Sequence, residues 1–160
     1  MRAEVFLLDE LRKRIHEMTV PEGDRLYPSV DALLLAHGRW FEPAPLPVGV
    51  QRLPARQCFE NAFLLASTRP DLTYVEGYVV DEVGLYLLHA WCSDPDGNAV
   101  DPTWPEPGLA YLGVPLGPGQ GTPARGPGML YDIAQLIPVL GEGLLDTELV
   151  DVGRPIQITA

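Results

Sequence analysis

The sequence predicts an α+β fold in which N-terminal helices pack on a small antiparallel sheet. Two observations indicate it. Apolar residues recur at helical spacing in three segments of the N-terminal part, and segments rich in β-branched and aromatic residues then follow in close succession. Strands joined by such short turns pair antiparallel. We expect the 160 residues to form a single domain, 1–160, because domains usually run to about 100–200 residues.

Two helices are predicted ahead of a proline-rich connection. Residues 4–18 place apolar side chains three and four positions apart with charged residues between them, which is typical of an amphipathic helix. Ser29 is a suitable N-cap for a second helix over 31–36, and Gly38 lies where that helix should end. The prolines of residues 41–54 favour an extended connection.

A third helix and two strands are predicted next. The helix covers 58–66, begins at or just before Cys58, and is expected to be buried through its apolar face. Pro70 favours its termination. Residues 72–80 and 84–92 then have the β-branched and aromatic composition of strands.

The remaining elements are predicted from turn residues and composition. A short strand, 98–101, follows the turn sequence Asp94-Pro95-Asp96-Gly97. More than half of residues 107–128 are Pro or Gly, which predicts a long loop, either a functional lid or a linker. A last helix is expected over 129–140, weakened by a proline, and a final strand over 148–152.

Composition limits the partners and the compartment. The formal net charge of −11 argues against nucleic acid and anionic membranes as partners, because phosphate binding needs a basic patch. Two cysteines are too few for a disulfide framework. The N-terminal apolar stretch contains charges, unlike a signal peptide, and no run approaches the roughly 20 apolar residues of a membrane span. We therefore expect a cytoplasmic protein with reduced thiols.

Three residues suited to a catalytic site occur in the order nucleophile, base and orienting carboxylate. Cys58 opens a helix, His89 lies in a strand, and Asp101 lies in the next strand. The thiolate is the reactive form of cysteine, and a nearby imidazolium or helix N-terminus favours it. A carboxylate on the second imidazole nitrogen fixes the tautomer and orientation of the base.

The turn between the second and third strands determines whether His89 and Asp101 meet. If residues 95–97 form a three-residue hairpin loop, Cys92 pairs with Val100. Asp101 then lies on the same face as His89, diagonally across the strand pair and within reach of a hydrogen bond. A two-residue turn would put Asp101 on the opposite face.

Each of these residues also fits a structural role. Cys58 can be a small core residue, His89 a hydrogen-bonded core histidine, and Asp101 a turn former. Cys58, His89 and Cys92 could instead indicate a metal site, but a strand places His89 and Cys92 on opposite faces, and no fourth ligand is evident. No glycine loop of the P-loop type is present, and we expect neither a metal nor a cofactor.

Four segments around the three residues form a recognisable set: Gln57-Cys58, Tyr74-Val-Glu-Gly-Tyr78, His89-Ala-Trp91 and Gly97-Asn-Ala-Val-Asp101-Pro-Thr-Trp104. Together they resemble the core of the transglutaminase-like, papain-like cysteine enzymes, here covering about 54–106. In that superfamily the cysteine opens a helix that packs on an antiparallel sheet. The resemblance implies that Cys58 is the nucleophile, His89 the base and Asp101 the orienting residue.

The same resemblance implies a substrate site. Trp91 and Trp104 are expected to flank it and exclude water, and Gln57 and Asn61 are candidate substrate-binding or oxyanion residues. Backbone N–H groups at the helix start can supply the oxyanion hole. The loop at 107–128 is a candidate lining of the substrate groove.

A second resemblance concerns Arg56-Gln-Cys-Phe-Glu-Asn61, which is similar to the Cys-Phe-Glu segment of arylamine N-acetyltransferases. Three functions therefore stay open. The first is a cysteine-dependent hydrolase or acyl transferase that acts on an amide or ester carbonyl of a peptide, a protein or a small molecule. The second is a catalytically inactive scaffold that binds a peptide or protein. The third is an acyltransferase that uses an acyl-thioester cofactor.

Overall fold

The computed structural model describes residues 2–18, 23, 25–117 and 126–157. Within them, four α-helices pack on one face of a six-stranded antiparallel sheet with the strand order β4-β3-β2-β5-β1-β6. The helices are α1 (Arg2–Glu17), α2 (Val30–His37), α3 (Cys58–Thr68) and α4 (Ile133–Glu142). The strands are β1 (Arg39–Phe41), β2 (Thr73–Val80), β3 (Tyr86–Ser93), β4 (Ala99–Val100), β5 (Ala110–Leu116) and β6 (Arg154–Pro155). The α+β fold class is thus confirmed.

The first two helices form as predicted, with small shifts at their ends. Leu7 and Leu11 of α1 are fully buried, as the amphipathic pattern requires. Ser29 caps α2, its side chain accepting a hydrogen bond from the N–H of Ala32 at 3.2 Å. In the described residues, no helix combines the length and apolar character needed to cross a membrane.

The sheet separates two cores. One face of β2, β3 and β5 packs against the helices. The buried residues on this face include Tyr74, Tyr78, Ala90, Cys92, Leu112 and Val114. The opposite face forms a smaller cluster of Phe41, Val75, Val79, Trp91, Ala99, Tyr111 and Val152. His89 alternates with Ala90 along β3, so its side chain lies on the side of the smaller cluster.

The predicted hairpin register is confirmed. Cys92 pairs with Val100, and Ser93 pairs with Ala99. Gly97 takes the left-handed conformation, with φ at 85°, that the last position of a three-residue loop requires. Asp101 therefore leaves β4 on the face that carries His89.

The prediction of a loop throughout 107–128 is wrong for its first half, because β5 lies there and pairs with β2 along its whole length. The many Pro and Gly residues of this segment are typical of a loop, so the sequence did not predict the strand. Pro115 lies beyond Gly113, the last residue of β5 that pairs with β1. No strand therefore needs a backbone N–H from Pro115 on the β1 side, and the proline is tolerated. Residues 118–125 of the expected loop lie outside the described residues.

The C-terminal predictions also need correction. The strand expected at 148–152 is instead a 3-10 helix, Asp146–Glu148, followed by one isolated bridge between Leu149 and Leu116. The strand in this region is β6, which pairs with β1, a strand that the sequence did not predict. The last helix begins at Ile133 rather than residue 129, because Asp132 caps it by accepting from the N–H of Ala134 at 3.0 Å.

A buried carboxylate in the middle of the sheet anchors the segment that leads into α4. Glu76 of β2 is fully buried, and its two carboxylate oxygens accept hydrogen bonds from the N–H groups of Met129 (2.9 Å) and Leu130 (3.4 Å). Burial raises the pKa of Glu76 to about 7, although the hydrogen bonds oppose the shift.

Glu76 should make the stability of the protein depend on pH. The pKa of the Glu76 carboxyl rises from 4.5 to about 7 on folding, so protonated Glu76 favours the folded state. This contribution to the unfolding free energy is complete below pH 4.5 and is lost as the pH rises through 7. We expect the unfolding free energy of the wild type, relative to Glu76→Gln, to fall by about 1–3 kcal/mol over this range. Urea unfolding of both proteins at several pH values measures the difference, and a difference independent of pH would contradict the assignment.

Candidate active site

His89 and Asp101 form a buried pair. The Nε2 of His89 lies 2.7 Å from Oδ2 of Asp101, and both side chains are almost fully shielded from solvent. A carboxylate can only accept hydrogen bonds, so Nε2 must carry the proton that it donates. In the neutral imidazole this leaves Nδ1 with a free lone pair, which is the tautomer that a general base requires.

Asp101 is held in place by four donors. Its Oδ1 accepts from the N–H groups of Thr103 (3.0 Å) and Trp104 (3.2 Å). Its Oδ2 accepts from the hydroxyl of Tyr111 at 3.2 Å, in addition to the bond from His89. A carboxylate with this many donors is held in one orientation, and its burial leaves neither oxygen without a partner.

Tyr111 is the part of this network that the sequence reasoning missed. Its hydroxyl accepts a hydrogen bond from the N–H of Gly108 at 2.8 Å and donates one to Oδ2 of Asp101. The residue lies on β5, in the stretch predicted as a loop. The apolar and aromatic residues of 109–114 are the signal that could have placed it in a strand facing the site.

Cys58 is the first residue of α3 and is half-buried. The preceding turn is tight, with Arg56 in the left-handed conformation at φ 67°. A helix start places backbone N–H groups and a partial positive charge beside the thiol.

The side chain of Cys58 lies close enough to His89 to affect the pKa of the imidazole. Burial lowers the pKa of His89, but the hydrogen bond with Asp101 and the hydrogen-bonding and charge interactions with Cys58 together outweigh it. The pKa of His89 rises from 6.5 to about 9. The imidazole of His89, hydrogen-bonded to the carboxylate of Asp101, is therefore positively charged at neutral pH.

Asn61 ties the helix of Cys58 to the segment of Asp101. Its Nδ2 donates to the carbonyl of Pro54 at 2.7 Å and to Oγ1 of Thr103 at 3.0 Å. Both amide hydrogens of Asn61 are thus used within the protein. They are not available for the predicted role of binding an oxyanion or a substrate. Gln57 is exposed at the N-cap of α3 and its side chain makes no capping hydrogen bond.

The two predicted tryptophans lie on different sides of His89. Trp104 is half-buried, with its ring centroid 4.7 Å from that of the imidazole. Trp91 is 0 % exposed, stacks behind the imidazole at 6.2 Å, and packs edge-on against Tyr111 at 5.0 Å. Trp104 can therefore line a substrate site, whereas Trp91 supports His89 from the core.

The second cysteine is separate from this site. Cys92 is fully buried on the helix-facing side of β3, and its thiol donates to the carbonyl of Ala62 at 3.2 Å. Burial strongly raises the pKa of the Cys92 thiol. In the part of the chain that the structure describes, no three His, Cys, Asp or Glu residues are grouped so as to hold a metal ion.

Comparison with protein-family models, with curated proteins and with solved structures finds no match to this chain. The function must therefore be argued from the site itself.

Proposed function

We propose that the protein is a cysteine-dependent hydrolase or acyl transferase that acts on an amide or ester carbonyl through an acyl-enzyme at Cys58. One observation carries the proposal. His89 donates through Nε2 to a fully hydrogen-bonded Asp101 and interacts with the thiol of Cys58, which opens a helix. These are the roles of nucleophile, base and orienting residue in a triad.

The reaction proceeds in two halves. The thiolate of Cys58 attacks the carbonyl carbon and forms a C–S bond, while the carbonyl π electrons move to oxygen. The oxyanion then re-forms the carbonyl, and the bond from carbon to the leaving amine or alcohol breaks as His89 gives that group the proton on Nδ1, which leaves a thioester on Cys58. In the second half, water or an amine loses a proton to Nδ1 and attacks the thioester, which returns the electron pair to sulfur.

The start of α3 provides donors for the developing oxyanion. The first hydrogen bond of the helix runs from the N–H of Asn61 to the carbonyl of Gln57 at 2.8 Å. The N–H groups of residues 58–60 therefore precede the intrahelical ladder and are available for a ligand. The N–H of Cys58 is the donor nearest the attacking sulfur.

Several features support a transglutaminase-like core. The cysteine begins a helix that packs on an antiparallel sheet, the histidine lies on β3, and the aspartate follows β4. Asn61 and Thr103 then connect the helix directly to the segment of the aspartate. A peptide, a protein or a small amide or ester is the substrate class that this chemistry accepts.

Selective alkylation tests the proposal. Iodoacetamide should label Cys58 and spare Cys92 in the folded protein, because Cys58 is half-buried beside an imidazolium and Cys92 is sealed in the core. Intact-mass spectrometry should show one adduct in the wild type and in the matched control Cys92→Ala, and none in Cys58→Ala. Equal labelling of both cysteines would count against the mechanism, and a Cys58 no more reactive than a free thiol would favour an inactive binding scaffold.

A further inference from the structure

The strand that carries His89 has an open edge. β3 pairs with β2 along its full length, but β4 pairs with only its last two residues, Cys92 and Ser93. Among the described residues, no strand covers the outer edge of β3 from Tyr86 to Trp91. Unpaired edges present rows of free N–H and C=O groups that can pair with another chain.

The register determines which backbone groups face that edge. The N–H of Asp94 donates to the carbonyl of Asn98 at 3.1 Å, on the β4 side of the sheet. Alternate residues of an antiparallel strand face the same neighbour, so the N–H and C=O of Leu88 also point to the β4 side. β4 does not extend that far, and no other described residue bonds to these groups.

The open edge is continuous with the candidate active site. Leu88 directly precedes His89, and 36 % of Leu88 is exposed. A peptide strand hydrogen-bonded to Leu88 passes within one residue of the imidazole. The helix that Cys58 opens, α3, also packs against β3, and Cys58 is half-buried.

A cavity of about 320 Å³ lies at the same end of the sheet. Its lining joins the turn between β2 and β3 to the segment after Asp101, and comprises Asp81, Glu82, Val83, Trp104, Pro105, Glu106 and Pro107. Glu82 and Glu106 are exposed and make no ion pair with any described residue. An aromatic face beside unpaired carboxylates is complementary to a cationic side chain.

We propose that the outer edge of β3 binds the substrate as an extended peptide, through main-chain hydrogen bonds to Leu88, with a basic side chain in the cavity beside Trp104. This inference rests on the proposed function and names its substrate class. Main-chain pairing gives the affinity, and the cavity gives the selectivity.

Leu88→Pro is the informative variant. Proline removes the N–H that would bond the peptide, and that N–H is not used in the pairing with β2. An edge strand tolerates proline where the N–H faces solvent. Leu88→Ala is the matched control, because it changes the side chain and keeps the N–H.

The experiment compares how fast three probes with one warhead label Cys58, measured by intact-mass spectrometry. Two probes are pools of acetylated tetrapeptide vinyl sulfones with random sequences. One position is fixed as Lys in the first pool and as Glu in the second. The third probe is methyl vinyl sulfone. We expect the lysine pool to react faster than the glutamate pool. Leu88→Pro should slow the lysine pool by about three- to tenfold, the loss expected for one hydrogen bond. It should leave methyl vinyl sulfone within about twofold of its wild-type rate, since the small probe makes no such bond.

The outcomes separate this inference from the proposed function. An unchanged rate for the lysine pool in Leu88→Pro overturns pairing at the edge, and equal rates for the two pools overturn the assignment of the cavity. If Leu88→Pro also slows labelling by methyl vinyl sulfone, the variant is replaced by peptides that carry a single N-methyl group, tested on the wild-type protein. A labelling rate that N-methylation does not change overturns the pairing. Failure of every probe to label wild-type Cys58 overturns the proposed function itself.

Discussion

Replacing His89 with alanine should lower the rate at which p-nitrophenyl acetate acylates Cys58 by about two to four orders of magnitude, the usual contribution of a positioned acid–base group. The imidazolium that stabilises the thiolate is then lost, and Asp101 remains as a buried carboxylate without its partner. Release of p-nitrophenolate under single-turnover conditions measures the rate.

His16→Ala provides the control for this variant. His16 is exposed on α1 and belongs to no contact of the site, so its replacement should leave the rate unchanged. Because removal of His89 also leaves a cavity, circular dichroism must show that the variant is folded. A folded His89→Ala protein that reacts at the wild-type rate would exclude His89 from the reaction.

Replacing Asp101 with asparagine should lower the same rate by about two to four orders of magnitude, because the carboxylate selects the tautomer and stabilises the imidazolium. The variant should also lower the pKa of His89 below its value of about 9, since the bond to Asp101 is the largest cause that raises it. Titration of the His89 imidazole by NMR measures the shift directly.

Tyr111→Phe is the matched control for Asp101→Asn. It removes one of the four donors to Asp101 and leaves its charge and its bond to His89 in place. We expect a rate within about threefold of the wild type and an imidazole titration close to it, because a single neutral hydrogen bond contributes little net free energy. A His89 titration that is the same in Asp101→Asn and the wild type would contradict the assigned role of Asp101.

The charged pair also gives the fold a dependence on pH. The pKa of His89 is about 9 in the folded protein against an ordinary 6.5. The stabilisation from its pairing with Asp101 is therefore complete below pH 6.5 and is lost as the pH rises through 9. Glu76 acts in the same direction between pH 4.5 and 7, so the stability of the protein should fall as the pH rises through both ranges.

The parts of the fold with strong local patterns were predictable. The apolar periodicity of residues 4–18 and the cap at Ser29 are local, and so is the three-residue turn that sets the register of Cys92 against Val100. That register places His89 and Asp101 on one face of the strand pair, and it follows from the turn residues alone.

The parts that depend on distant partners were not predictable. β1 and β6 are very short. They exist because they pair with each other across more than a hundred residues of sequence and because β1 also pairs with β5, about 70 residues away. Tyr111 reaches Asp101 only because β5 enters the sheet beside β2. Trp91 was expected beside the substrate, but its position in β3 places it behind His89 in the core.

The most direct test of the central claim is the mass of the protein after brief incubation with p-nitrophenyl acetate and acid quenching. The account predicts a mass increase of one acetyl group that peptide mapping assigns to Cys58, and its absence from Cys58→Ala. An acetyl group found mainly on other residues, or an equal mass increase in Cys58→Ala, would contradict it.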